Sequence, residues 1–87
     1  MRARRRAIEI RPGDSAYYNN RGVTYACELD YRRAITDYNS AMALNPRSAE
    51  PYMNRGSAYV GKGDYNRALA DYTVVFEVAP RNMNLGR

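Results

Sequence analysis

Histidine is absent from this sequence and cysteine occurs once, at Cys27. The missing histidine removes the usual general base and the commonest neutral metal ligand. With a single thiol, no Ser-His-Asp triad, Cys-His dyad or ordinary structural zinc set can assemble within the chain. No metal and no cofactor is expected. Cys27 cannot close an intramolecular disulfide, and helical spacing fixes no cation beside it, so it is expected to be an inert small apolar residue. The carboxylates Glu28, Asp30 and Asp64 could in principle do acid–base work, but they fall at turn and cap positions with no convergent pocket. The expected protein is not an enzyme.

Charge points first to nucleic acid, since 14 basic residues face nine acidic ones for a net +5. Divided by segment, residues 1–14 carry +3 and residues 15–82 only +1. A basic stripe across a folded face would be a phosphate footprint, whereas Arg2, Arg4, Arg5 and Arg6 form a short terminal cluster without aromatic platforms. Nucleic-acid contact through that cluster is therefore the third-ranked reading, and it predicts affinity that falls steeply with salt. No run approaches the roughly 18 to 20 apolar residues of a membrane span. The basic start is followed by Ala7, Ile8, Glu9, Ile10 and Arg11 rather than an apolar signal core, so no membrane partner and a cytoplasmic location are expected. At 87 residues, with 45 % apolar and 26 % charged, the chain has room for one small globular domain.

The elements that position these residues come from an internal repeat. Residues 15–48 laid over residues 49–82 agree at 13 of 34 positions, among them Tyr18 with Tyr52, Asn20 with Asn54, Arg21 with Arg55 and Gly22 with Gly56. Tyr25, Asp30, Tyr31, Arg33, Ala34, Asp37, Tyr38, Pro46 and Arg47 pair in turn with Tyr59, Asp64, Tyr65, Arg67, Ala68, Asp71, Tyr72, Pro80 and Arg81. Each unit reads as two helices. The first spans about Ala16 to Cys27, with Tyr18, Gly22 and Tyr25 on one face, and its copy spans about Pro51 to Val60. Breaks are expected at Glu28, Leu29 and Asp30, and at Gly61, Lys62 and Gly63, where two glycines relax the backbone. Asp30 and Asp64 are placed to cap the second helices.

One buried face is expected on each second helix: Tyr31, Ala34, Ile35, Tyr38, Ala41, Met42 and Leu44, echoed by Tyr65, Ala68, Leu69, Tyr72, Val75, Phe76 and Val78. Pro46 and Pro80 are expected to close the units. Gly22, Gly56, Ala34 and Ala68 let paired helices approach closely. Arg21 with Asp37 and Arg55 with Asp71 place opposite charges 16 residues apart in both units, which predicts a recurring salt bridge between the helices of each hairpin.

The series Tyr18, Arg21-Gly22, Tyr25, Ala34, Tyr38, Pro46, and its copy Tyr52, Arg55-Gly56, Tyr59, Ala68, Tyr72, Pro80, resembles the tetratricopeptide repeat at that family's period. Arginine replaces the usual leucine before the glycine, an Asn-Arg-Gly form similar to that of many bacterial repeat arrays, and tyrosine replaces the leading tryptophan. The resemblance implies an all-α superhelix with repeats at 15–48 and 49–82. Residues 1–14 are similar to the last helix of a preceding repeat, with Ala7, Ile8, Ile10 and Pro12 in the columns of Ala41, Met42, Leu44 and Pro46, and residues 83–87 form a tail. Two and a half units leave an apolar face to be covered by another copy or by the rest of a longer array.

The resemblance further implies protein–protein interaction, with an extended peptide or partner helix lying along the first helices. The residues there that packing does not claim are Asn19, Asn20, Val23 and Cys27 in the first unit and Met53, Asn54, Ser57 and Val60 in the second. Asn20 and Asn54 are similar to an asparagine of the family's carboxylate clamp, but Asn19 and Met53 stand where the clamp lysines would be, so neutral contacts are expected. The alternative is a self-assembling structural segment that forms a homo-oligomer through its repeat ends.

Overall fold

The computed structural model describes residues 13–83, within which four helices follow one another: α1 (Ser15–Cys27), α2 (Tyr31–Leu44), α3 (Glu50–Lys62) and α4 (Tyr65–Met83). They form two hairpins, α1 against α2 and α3 against α4, stacked through α2 and α3. The expected helix in residues 1–12, the arginine cluster and the last four residues lie outside the described residues.

Side-chain caps set the helix starts. Asp14 accepts from the Ala16 N–H at 2.9 Å, and Asp30 and Asp64 accept from the Arg33 and Arg67 N–H groups at 3.3 Å. The same two aspartates pair with the Arg33 and Arg67 guanidiniums at 3.6 and 3.5 Å. α3 has no side-chain cap but carries Pro51 in its first turn, where the missing N–H leaves no bond unmade.

The turn after α1 and the turn after α3 share one geometry. The Asp30 N–H reaches back to the Tyr25 carbonyl at 2.9 Å and the Asp64 N–H to that of Tyr59 at 2.8 Å, closing a Schellman-type end. That end needs a left-handed residue. In the second hairpin it is Gly63 at φ 86°, and in the first it is Leu29 at φ 65°, with its side chain exposed. A leucine there strains the backbone by roughly 1–2 kcal/mol, partly offset by glycine's looser unfolded chain. Leu29→Gly is expected to stabilise the fold by about 0.5–1 kcal/mol. A thermal melt should show Tm rising by about 4 °C, and a fall would contradict the strain.

The glycine before each tyrosine column sets the hairpin spacing. A Cβ at Gly22 would lie 2.5 Å from Cε1 of Tyr38, and one at Gly56 would lie 2.7 Å from Cε1 of Tyr72. Tyr38 sinks into the resulting contact with 1 % of its surface exposed, joined in the core by Ala34, Ala41, Met42 and Ala58. Gly61 corrects an expectation: it lies inside α3 rather than at a break, and a Cβ there would come within 2.6 Å of Cε1 of Tyr31. Its role is to seat a ring of the preceding hairpin, so only Gly63 turns the chain.

The expected ion pairs form in both hairpins, and both are bidentate. Arg21 donates from Nε to Oδ2 of Asp37 at 2.8 Å and from Nη2 to Oδ1 at 2.9 Å; Arg55 makes the same two bonds to Asp71 at 2.8 and 2.7 Å. These hydrogen bonds push both guanidiniums further above their already high range. The guanidiniums also stack on tyrosines: Tyr25 has Arg21 and Arg33 within 5.9 Å of its centroid, and Tyr59 has Arg55 and Arg67 within 6.0 Å.

Two further expectations are corrected. α4 does not stop at Pro80 but runs on to Met83. In α2 the chain leaves the helix at Asn45, whose Oδ1 accepts from the Arg47 N–H at 3.3 Å, whereas the matching position 79 holds alanine, the strongest helix former. The second helices also do not share one burial pattern. Leu44 is exposed at the end of α2, and on α4 Tyr65, Leu69 and Phe76 are 67, 66 and 78 % exposed. Their counterparts Tyr31, Ile35 and Met42 are covered because α3 packs on α2, and among the described residues no helix lies against that face of α4.

Candidate functional site

The first helices α1 and α3 run beside each other and carry all eight candidate residues. Val23, Cys27, Asn54 and Ser57 line one cleft of about 330 Å³ between them, with Tyr31 and Tyr38 from α2 completing the wall. Every side chain around this cleft is uncharged. Asn19 and Asn20 line a second cleft of about 250 Å³ nearer the start of both helices, beside Ser48 and Glu50. Met53 and Val60 stand exposed on α3 outside both clefts.

Asn19 departs from its expectation. It is 6 % exposed, and its Oδ1 accepts from Nδ2 of Asn54 at 3.0 Å, so it joins the two hairpins rather than standing free. The physical reason is the stacking offset, which brings position 19 of one first helix against position 54 of the next. Asn54 thereby commits one of its two amide N–H groups, while the residue also lines the cleft. Asn20 is exposed, as is Cys27.

Tyr31 and Tyr38 were assigned from periodicity to the core alone, yet both also face the cleft. The signal for Tyr38 lies in one column of the repeat. Its counterpart Tyr72 shares a hydrogen bond of 3.2 Å with Ser57, and the residue matching Ser57 in the first unit is Val23, which cannot make that bond. Burial pushes the Tyr38 phenol above its ordinary range, with Cys27 a smaller contributor. Among the described residues no group of histidine, cysteine or carboxylate side chains could hold a metal ion. No described helix is long and apolar enough to cross a membrane.

Residues 30–63, from the cap of α2 through the turn that ends α3, match the family model described as TPR repeat, and residues 49–82 match that described as tetratricopeptide repeat. The chain belongs to the tetratricopeptide repeat family. The first match spans the contact of α2 with α3, and the second is the hairpin of α3 with α4. A comparison with curated proteins gave no match. Tetratricopeptide repeats generally mediate protein–protein interaction, and proteins built from them are typically non-catalytic scaffolds.

Proposed function

We propose that this tetratricopeptide segment is a non-catalytic interaction module, with residues 15–48 and 49–82 as its units, that binds an extended peptide or partner helix along α1 and α3. The observation that carries this reading is the convergence of Val23, Cys27, Asn54 and Ser57 on one uncharged cleft between those helices. Hydrogen bonds and apolar contact would hold such a ligand, with no fixed cation to demand an acidic one. The test is a peptide array followed by fluorescence anisotropy. Asn20→Ala/Asn54→Ala is expected to weaken the selected peptide about thirtyfold, as two lost hydrogen bonds at about 1 kcal/mol each would do. Affinity unchanged in that variant but abolished by Leu69→Asp would move the binding surface to α4 and overturn the proposal.

The exposed face of α4 favours a second reading, self-association. Copies stacked head to tail as the hairpins stack would bring α1 onto α4 as α3 lies on α2. Cys27 and Thr24 would then stand where Gly61 and Ala58 do, and the Gly61 position tolerates no Cβ against its tyrosine. A homodimer would therefore join α4 to α4 through Tyr65, Leu69 and Phe76. Light scattering over a concentration series, with Phe76→Asp as the dissociating variant, decides this reading separately from peptide binding.

A further inference from the structure

Resting on the groove reading, we propose that the cleft beside Tyr38 receives one uncharged carboxamide side chain, of the glutamine or asparagine class, from the bound peptide. Tyr38 is 1 % exposed and lines the cleft, and among the described residues its hydroxyl has no hydrogen-bond partner. A buried hydroxyl without a partner is destabilising, which an acceptor entering the cleft would relieve. The second hairpin shows the satisfied form of the same tyrosine, since Tyr72 meets Ser57.

The other wall selects the rest of the ligand group. Asn54 gives one Nδ2 N–H to Asn19, which leaves its Oδ1 as an acceptor beside a second N–H on the residue lining the cleft. A carboxamide carries both complements, a carbonyl for the Tyr38 hydroxyl and an N–H for Asn54, on a short apolar stem that suits Val23, Ala26 and Ala58. A carboxylate has no N–H to give and would enter a cleft whose lining holds no cation, so it is disfavoured. A plain alkyl chain would fit the walls but leave both polar groups unpaired.

Cys27 makes this testable without knowing the natural peptide, because it is the one thiol in the sequence and opens on the cleft. The full chain is equilibrated with the symmetrical disulfides of three thiols, 3-mercaptopropionamide, 3-mercaptopropionate and butanethiol, against rising 2-mercaptoethanol. Each exchange joins one probe half to Cys27 and releases the other as a thiol, read by intact-mass spectrometry. Cys27→Ser/Leu29→Cys, with its thiol on the exposed turn outside the cleft, corrects for the probes' own reactivities.

After that correction the carboxamide is expected to survive about tenfold more reductant than the carboxylate, and more than the alkyl probe. Tyr38→Phe should bring the carboxamide most of the way to the alkyl level, leaving it only the contact with Asn54. Val23→Ser should do the same with the fold intact, because it supplies Tyr38 with the partner that Ser57 gives Tyr72. Equal capture of the three probes, a preference for the carboxylate, or a carboxamide preference that survives both variants undiminished would overturn the assignment. Peptide affinity lost in Asn20→Ala/Asn54→Ala while the probes are captured equally would leave the groove reading standing and remove only the carboxamide.

Discussion

Arg55→Met is expected to destabilise the protein by about 3 kcal/mol, because it strips the counter-charge from a carboxylate buried between two helices. The Asp71 side chain is 5 % exposed, and both of its oxygens accept from Arg55. The pair was legible as opposite charges 16 residues apart, and an exposed pair of that kind contributes only about 0–1 kcal/mol. Burial of the carboxylate changes the scale, since what the substitution removes is the compensation for a desolvated charge. Arg55 also donates from Nη1 to Oδ1 of Asn39 at 2.6 Å, which ties the second hairpin to α2, and it stacks on Tyr52 and Tyr59. Arg21→Met should cost about half as much, because the Arg21 side chain is more open to solvent and its remaining bond goes to Tyr17 on its own helix. Urea unfolding of both variants checks the order. Arg55→Met/Asp71→Leu should recover part of the loss, since removing the stranded carboxylate is easier than leaving it unpaired. A change below about 0.5 kcal/mol in Arg55→Met would show that the pair behaves as an ordinary surface contact.

Gly22→Ala is expected to lower stability by about 2 kcal/mol although alanine is the better helix former. The added Cβ would meet Cε1 and Cδ1 of Tyr38 at 2.5 and 2.8 Å, with the Ala34 carbonyl oxygen at 3.1 Å closing the other side. Tyr38 is enclosed and cannot swing away, so α1 and α2 must separate. Gly56→Ala is the informative partner. The three atoms nearest its Cβ all belong to the ring of Tyr72, which is half-buried and so less confined than Tyr38. The gain in helix propensity, about 1 kcal/mol, should nearly cancel the contact there. Thermal melts should therefore show Gly22→Ala about 10 °C below the wild type and Gly56→Ala close to it. Equal losses in the two variants would mean that the hairpins are packed alike.

That contrast marks how far the repeat pattern carries. Period, helix positions, the caps at Asp30 and Asp64, the close approach at Gly22 and Gly56 and the Arg–Asp pairs all follow from residue types at fixed offsets. Each depends on contacts within one helix or one hairpin, and a hairpin is short enough for spacing to place both partners. The candidate site was legible in part: Val23, Cys27, Asn54 and Ser57 meet at one cleft, but Asn19 is withdrawn into the contact between hairpins, and Tyr31 and Tyr38 add a wall that periodicity assigned to packing.

By itself, then, the sequence determined an all-α tetratricopeptide chain and the internal geometry of each hairpin, because helical periodicity says which side chains share a face. Periodicity does not say what covers that face. Tyr31 and Tyr65 occupy one column, yet α3 seats the first against Gly61 and leaves the second exposed. Tyr38 and Tyr72 occupy another, yet among the described residues only Tyr72 finds a hydroxyl to bond. The first outcome rests on the neighbouring helix, its small residues and its offset, which tertiary stacking alone decided. The second turns on Ser57 standing where the first hairpin has Val23, and only the folded hairpin shows that this position meets the tyrosine.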